Sequence, residues 1–393
     1  MALWKMRVAA AAMAAASGTA WSTASGVQIQ LNEPDFDRWM YPFNLTPGAR
    51  GRAPTFGAIG AGAFDERDGQ YTLGFDLAGL LPALGPGQAY QVNALQVTAT
   101  HFTGGFTYDP TYDGYQTFLD PSDPDYIADA DAGRPVVLTA AGLRNGYEEF
   151  GFGPSALGAP VFEEGDFFSL TDPNPPGVRN TFAQAFDGVD MVDVSNNVAD
   201  RFDFVPFAVG QTNVAPGATV SEGVGGVSPG STFTFDVNLA EPSVTSNLTE
   251  QLELEQLFFT ISSLHSTGMS GGSNPNFYTN DNFDPAAIAP TLFLDVEVVS
   301  AALPGDANND GVVDLLDFDV LAQNFGSPTG NGATDGDFNG DGTVDLLDFD
   351  ILAQNFGATS PATLPGAIPE PASLALMGLG AAGLLRTRRR RRN

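Results

Sequence analysis

The chain of 393 residues contains no cysteine and carries a formal net charge of −31, from 47 acidic and 16 basic residues. The lack of cysteine excludes disulfide bonds and thiol catalysis, and a chain of this length can bury a large core without them. The acidic excess argues against nucleic acid as a partner, because counterion release favours basic proteins. It is compatible with divalent cations and with neutral or cationic polysaccharides.

The first 26 residues have the pattern of a secretory signal peptide. A basic start with Lys5 and Arg7 precedes an apolar run at 8–16, and small residues follow, with cleavage possible after Ala20 or Ala24. Basic, apolar and small-residue regions in this order mark a segment that is removed on secretion. We therefore expect residues 1–26 to be cleaved and the remaining chain to be exported.

Residues 27–300 predict an antiparallel β-sandwich of jelly-roll type, with two smaller sandwiches as the alternative. Short runs rich in β-branched and aromatic residues are separated by Gly, Pro, Asn and Asp clusters, and alternation of apolar and polar residues is clearest at 233–239 and 292–299. Many short strands with such turns are typical of sandwiches and jelly rolls. Strands are predicted at 27–31, 70–76, 90–103, 135–139, 182–194, 202–209, 232–239, 257–264 and 291–300, and one helix at 248–255.

Aromatic and basic side chains are concentrated at residues 36–56. Exposed aromatic rings can stack on sugar rings, and arginine can pair with the carboxylates of a uronic polymer. The alternative is that Trp39 is simply buried where the sandwich begins. The candidate polysaccharide contacts are Arg38, Trp39, Tyr41, Arg50 and Arg52.

Residues 107–132 hold seven aspartates between proline and glycine turns, which predicts a long loop over one face of the sandwich. Loops of this kind often carry binding sites. A solvated acidic loop without a ligand is the alternative. The candidate ligands of a further cation are Asp120, Asp123, Asp125, Asp129 and Asp131.

The acidic pairs Glu148–Glu149 and Glu163–Glu164 match no motif by themselves, but glycoside hydrolysis uses two carboxylates about 5–9 Å apart. Neighbouring residues on a strand point to opposite faces, so adjacency alone does not create that geometry. His101 and His265 lie in neither a G-x-S-x-G nor an HExxH motif, and we expect both to be structural. No catalytic residue is assigned, and a polysaccharide-degrading O-glycosyl hydrolase stays an alternative to a non-catalytic body.

Residues 305–326 recur at 336–357 with only four differences. Each copy places carboxylate and amide oxygens at alternating positions of a loop of about twelve residues, with glycine at its tight turn, as a calcium ion with six to eight oxygen ligands requires. The carbonyl at the seventh position supplies a further oxygen. The predicted ligands of two Ca²⁺ sites are Asp306, Asn308, Asp310, Val312, Asp314, Asp317, Asp337, Asn339, Asp341, Thr343, Asp345 and Asp348.

This repeat pair resembles the type I dockerin pattern over roughly residues 304–357. Aspartate rather than glutamate at the last ligand position distinguishes it from a calmodulin-like EF-hand pair, as does the lack of an amphipathic helix before each loop. The resemblance implies a small α-helical, calcium-binding domain. We expect Val313 and Val344 to pair the two loops, and an apolar stripe to pack one helix against its twin. The stripe consists of Leu315, Phe318, Leu321, Phe325, Leu346, Phe349, Leu352 and Phe356.

In dockerins, partner binding depends on loop positions 10 and 11 and on helix positions 17 and 18. The resemblance therefore implies docking to a cohesin-like or other exported protein. Polar or basic residues are usual there in cellulosomal dockerins, whereas apolar leucine pairs stand at 10 and 11 here and predict an apolar contact. The positions hold Leu315, Leu316, Ala322, Gln323, Leu346, Leu347, Ala353 and Gln354.

After a linker at 358–367, residues 368–393 contain Pro369, Glu370 and Pro371, the apolar stretch 372–385 and a cluster of arginines. This order resembles the PEP-CTERM sorting signal, which implies processing by an exosortase-type membrane protease. Fourteen helical residues span about 21 Å, short of a hydrocarbon core near 30 Å, and the arginines hold that end in the cytoplasm. The prediction is a transmembrane helix in transient inner-membrane contact, with an ordinary tail anchor as the alternative.

The sequence thus predicts an exported, calcium-binding protein of the cell surface or extracellular matrix, whose sandwich binds polysaccharide. The alternatives are a secreted polysaccharide-degrading enzyme with a dockerin module, and a docking module for another exported protein.

Overall fold

The computed structural model describes most of the chain between residues 26 and 359. Contacts between Cα atoms divide the chain into a larger unit, Met1–Ala83 with Tyr90–Val298, and a smaller unit, Leu84–Ala89 with Val299–Asn393. The predicted signal peptide, except for its last residue Gly26, and the sorting motif lie outside the described residues. Those residues are 26–42, 50–57, 66–85, 88–153, 160–166, 179–221, 230–266, 274–283, 287–300, 303–328 and 332–359.

Strands are the predominant secondary structure of the larger unit. They are β1 Val27–Leu31, β2 Phe36–Met40, β3 Arg52–Pro54, β4 Gln70–Asp76, β5 Gln88–Thr100, β6 Phe106–Asp109, β7 Arg134–Leu143, β8 Glu149–Phe150, β9 Val161–Phe162, β10 Thr181–Phe186, β11 Met191–Asp193, β12 Ala208–Val209, β13 Thr219–Val220, β14 Thr232–Asp236, β15 Gln256–Ser263, β16 Asn276–Tyr278 and β17 Thr291–Ser300. Among the described residues, the α-helices are α1 Asn197–Asp200 and α2 Pro242–Glu253 in the larger unit, and α3 Leu315–Asn324 and α4 Leu346–Asn355 in the smaller one.

Two main sheets organise the strands. One has four strands in the order β1-β17-β5-β14, and the other follows the path β11-β10-β7-β15-β4-β2, with β6 and β12 also on β7 and β13 on β6. Almost all pairings with a described register are antiparallel; β6 with β7 and β8 with β9 are parallel. The expectation of a mostly β, antiparallel body followed by a small helical module is confirmed. The jelly-roll connectivity stays a prediction.

Burial follows the strand period of two in the four-stranded sheet. On β17, Leu292, Leu294 and Val296 are fully buried, while the residues between them are only partly covered. The same alternation places Phe233 and Phe235 of β14 in the core. Successive side chains of a strand point to opposite faces, so this sheet covers the core with one face, as the alternation at 233–239 and 292–299 predicts.

The centre of the larger sheet is buried on both faces. In β4 and β15 apolar pairs such as Tyr71 with Ile261 and Phe75 with Leu257 share one face. On the other face the Phe258 ring lies against Gly74, so close that a Cβ there would meet it at 2.2 Å. A glycine is needed because the ring occupies the space of a side chain.

Several predicted elements differ from the observed ones. Helix α2 begins six residues before the prediction, at Pro242, because proline suits the first helical position and the helix buries Val244, Leu248 and Leu252 at four-residue spacing. The predicted strand 182–194 is a hairpin of β10 and β11, since the Asp187 side chain accepts hydrogen bonds from the N–H groups of residues 189–190 and stabilises a turn.

Candidate metal centre

Each copy of the repeat forms a loop that leads into a helix. Asp314 is the N-cap of α3: its side chain accepts a hydrogen bond from Leu316 N at 2.7 Å, and the Asp317 side chain accepts one from Asp314 N at 2.8 Å. The second copy repeats this capping box at the start of α4, with the same two distances. Reciprocal capping fixes the ninth and twelfth loop positions against the helix start.

The aspartate at the first predicted ligand position closes each loop by accepting backbone hydrogen bonds. Asp306 accepts hydrogen bonds from Asp310 N at 3.1 Å and Gly311 N at 2.8 Å. Gly311 has a φ of 84° and Gly342 a φ of 86°, a left-handed conformation that glycine adopts without steric cost. The predicted ligand side chains of each copy therefore belong to one folded loop.

The charges of these loops fit a divalent cation. Asp317 and Asp348 are fully buried, and Asp306 and Asp337 are nearly so. Residues 304–357 contain eleven aspartates and no lysine, arginine or histidine. Clustered, desolvated carboxylates without a counter-charge are costly, and hard oxygen donors without nitrogen or sulfur ligands suit calcium rather than zinc. The donor set thus fits Ca²⁺.

The two copies are joined reciprocally, not loop to loop as the sequence suggests. Val313 exchanges backbone hydrogen bonds of 2.8 and 3.0 Å with residues 357–358, just after α4. Val344 exchanges bonds of 2.8 and 3.3 Å with residues 326–327, just after α3. Each loop is therefore held by the far end of the other repeat, so the two copies depend on each other.

The predicted apolar stripe is only partly buried. The core of the module is formed by Val313, Leu321, Val344 and Leu352, and across the helix pair the Phe318 and Phe349 rings meet edge to face at 6.1 Å. The expectation that the whole stripe packs helix against helix is wrong, because two short helices cannot cover all eight of its side chains. Exposed members are Leu315, Phe318, Phe325, Leu346, Phe349 and Phe356.

The leucine pairs face solvent in both copies. Leu315 and Leu316 are 67% and 57% exposed, and Leu346 and Leu347 are 69% and 59% exposed. They follow the N-caps directly, between the predicted ligands at loop positions 9 and 12. Large apolar side chains exposed together mark an interaction surface more often than isolated ones do.

In the larger unit, the predicted polysaccharide contacts separate into a buried and an accessible group. Arg38 is buried and donates hydrogen bonds to the backbone oxygens of Glu164 and Asp166, so it is unavailable to a polymer. Trp39 stacks on Tyr41 with 5.1 Å between ring centroids, and the exposed Arg50 holds its guanidinium 4.9 Å from the Trp39 ring. Arg52 is exposed on β3.

Three carboxylates meet next to β2. One oxygen from each of Asp37, Glu164 and Asp281 lies within 4.8 Å of the others. Burial raises the pKa of Asp37 to about 7 and that of Glu164 to about 8. The sequence draws attention to Glu164 only through its neighbour Glu163, and no local pattern reveals partners so far away along the chain.

The histidines occupy structural positions. His101 is buried, its Nδ1 accepts a hydrogen bond from Asn276 N at 3.3 Å, and its ring packs edge to face on Phe106 at 5.2 Å. His265 is buried against the same Phe106 ring at 4.8 Å, and burial lowers its pKa to about 3.

The predicted sorting motif, Pro369, Glu370 and Pro371, and the apolar stretch behind it lie outside the described residues. Among the helices that the structure describes, none has the length and apolar character needed to cross a membrane.

Comparison with known proteins agrees with both resemblances. Residues 304–357 match the type I dockerin domain, and residues 367–391 match the PEP-CTERM protein-sorting motif. A solved structure described as the type II cohesin-dockerin domain from Bacteroides cellolosolvens is 41% identical, covers 16% of this chain and 100% of its own, and has a TM-score of 0.15. No curated protein matches. The chain is an exported protein with a docking module.

Proposed function

We propose that this exported chain, with its type I dockerin module and sorting motif, is attached to a cohesin-type protein outside the cytoplasm. The observation that carries the proposal is the pair of exposed leucines at the start of both α3 and α4. Type I dockerin domains generally bind calcium, and the twelve predicted ligands supply two such sites.

The position of the leucines suggests calcium-dependent docking. Leu315 and Leu316 lie between Asp314 and Asp317, whose side chains bond to the backbone of the same turn. Bound calcium would supply the positive charge that holds these aspartates together. The aspartates would then fix the backbone from which the leucines project. The position of the apolar surface would therefore depend on the metal loop.

The partner surface should be apolar opposite these pairs. Four exposed leucines offer a contact driven by removal of apolar area from water, at about 25 cal/mol per Å². Because the two copies are nearly identical, each presents the same apolar surface. One copy can therefore bind the partner when the leucines of the other are substituted.

Docking is tested by substituting the leucine pairs. We expect Leu315→Gln with Leu316→Gln, or Leu346→Gln with Leu347→Gln, to weaken binding only a few-fold, and all four together to weaken it at least 100-fold, as loss of interface hot spots does. Isothermal titration of the full exported chain against a panel of cohesin domains, in calcium and in EGTA, measures this. Val189→Gln, at an apolar residue that is 78% exposed in the larger unit, is the control. Wild-type affinity in the fourfold variant would contradict the proposal.

Binding of a polysaccharide by the larger unit is a second candidate function. It is supported by Arg50 and Arg52, which are both exposed, and by the Arg50 guanidinium, which lies 4.9 Å from the Trp39 ring. Since Trp39 already contacts Tyr41 and Arg50, pairing of the two arginines with carboxylates of a uronic polymer is better supported than stacking of a sugar on Trp39.

Hydrolysis of the polymer is the enzymatic version of this candidate. It is supported by the approach of Glu164 to Asp37, because retaining glycoside hydrolases use two carboxyl groups about 5 Å apart, one with a raised pKa. Asp37 is buried whereas Glu164 is partly exposed. Glu164 is therefore the group that would act as the general acid on a bound substrate.

One set of variants separates binding from hydrolysis. We expect retention in gels that contain a uronic polymer, and at least tenfold weaker retention for Arg50→Gln with Arg52→Gln, while Arg201→Gln, at another exposed arginine, is unchanged. Glu164→Gln should keep retention and lose any release of reducing ends. Lack of retention on uronic, neutral and cationic glycans would refute binding, and lack of reducing ends from the wild type would refute hydrolysis.

A further inference from the structure

The loop between β6 and β7 brings four aspartates together. One carboxylate oxygen from each of Asp109, Asp113, Asp129 and Asp131 lies within 4.8 Å of the other three. Asp109 ends β6, and the others come from both ends of the long loop that returns to β7 at Arg134. The cluster therefore brings together the end of β6, at Asp109, and the two ends of the loop, which we call its arms: Asp113 in the first arm, and Asp129 and Asp131 in the second.

Asp109, a buried member of this cluster, has one carboxylate oxygen without a hydrogen-bond partner among the described residues. The residue is 2% exposed, and its Oδ1 accepts hydrogen bonds from Thr111 N at 2.8 Å and Thr111 Oγ1 at 2.7 Å. Its Oδ2 is buried and has no hydrogen-bond partner among the described residues. A buried carboxylate oxygen without a donor is costly, and such atoms are rare in folded proteins unless an ion or water occupies the site.

Arg134 balances only part of the charge. Its guanidinium contacts Asp113 at 3.0 Å and Asp129 at 2.6 Å, and packs over the Phe118 ring at 4.3 Å. One guanidinium faces four carboxylates. Burial, with the neighbouring aspartates adding repulsion, raises the pKa of Asp113 to about 6 and also raises that of Asp109.

We propose that Asp109, Asp113, Asp129 and Asp131 form a calcium site in the larger unit, separate from the dockerin loops. All of its donors are hard oxygens, and the Thr111 hydroxyl, 3.0 Å from Asp131 Oδ2, lies at the edge of the cluster. Calcium accepts six to eight oxygens in irregular geometry, whereas magnesium requires a near-ideal octahedron. A bound ion would pair the buried Asp109 Oδ2 and tie both arms of the loop to β6.

The site includes only two of the five aspartates that the sequence suggests. Asp123 and Asp125 instead form ion pairs with Arg201 at 2.6 and 2.7 Å. Asp120 accepts hydrogen bonds from Ser122 and belongs to a local turn. The two aspartates that remain, Asp129 and Asp131, are those nearest to β7.

Metal content of the full exported chain tests the proposal. In a background of Asp306→Ala with Asp337→Ala, which removes the first ligand of each dockerin loop, we expect one calcium per chain by mass spectrometry after equilibrium dialysis. Adding Asp109→Asn should reduce this to none. Adding Asp187→Asn, at an exposed turn aspartate, should leave one.

Two further results keep the test decisive. If Asp109→Asn prevents folding, Asp131→Asn, whose side chain is exposed, should still lose the ion from a folded chain. Hydrogen exchange of residues 110–133 should slow at least tenfold on adding calcium to the background chain and should not respond in either variant. No calcium in the background chain, or one calcium retained in both variants, would overturn the proposal.

Discussion

Removal of calcium is expected to unfold residues 304–357 while the β-sheets of the larger unit persist. Without the cation, Asp317 and Asp348 remain fully buried among other aspartates with no basic residue in the module. Leaving a buried charge without its partner costs about 3–5 kcal/mol. The module's core of Val313, Leu321, Val344 and Leu352 is too small to offset two such charges. Folding and calcium binding should therefore be linked.

Circular dichroism and hydrogen exchange of the full chain in EGTA measure this unfolding. Asp317→Asn with Asp348→Asn should raise the calcium concentration for half-folding at least 100-fold, because each loop loses a charged ligand. The matched controls are Asp319→Asn and Asp350→Asn, at exposed helix positions two residues further on. A module that stays protected in EGTA would contradict calcium-linked folding.

Neutralising Asp37 is expected to stabilise the larger unit at neutral and higher pH. Burial raises its pKa from 3.8 to about 7, although Tyr71 Oη at 2.8 Å and Asn280 N at 2.7 Å donate to its Oδ2. The folded state thus binds a proton that the unfolded state releases near pH 4, and stability falls as the pH rises from about 4 to 7. At about 1.4 kcal/mol per pKa unit the loss is about 4 kcal/mol.

Asp37→Asn keeps an oxygen for both hydrogen bonds and removes the charge. Its gain over the wild type should therefore be near zero at pH 4 and about 4 kcal/mol at pH 8. Urea unfolding of the larger unit at several pH values in EGTA measures this, and Asp236→Asn, at an exposed aspartate of β14, is the control. A variant that is equally destabilised at every pH would contradict the prediction. It would show that the carboxylate contributes to packing and that its ionisation does not destabilise the folded state.

The two dockerin loops could be predicted from the sequence because their geometry is local. Ligand spacing, the glycines at Gly311 and Gly342, and the capping aspartates all act within about twelve residues. The strands of alternating pattern, such as β14 and β17, were predictable for the same reason. Short strands without alternation, such as β12, depend on pairing with distant neighbours and were placed less well.

By itself, the sequence determined the antiparallel β body, the duplicated dockerin loops and the C-terminal sorting motif, and it predicts the N-terminal signal peptide, since each is encoded by a short, contiguous pattern. Only the tertiary structure decided that Arg38 is buried, that the leucine pairs stay exposed, and that Asp109 meets Asp131. Whether a side chain is buried, and which side chains lie close together, depends on which distant segments pair in a sheet or meet where a loop leaves it. No contiguous pattern of residues carries that information.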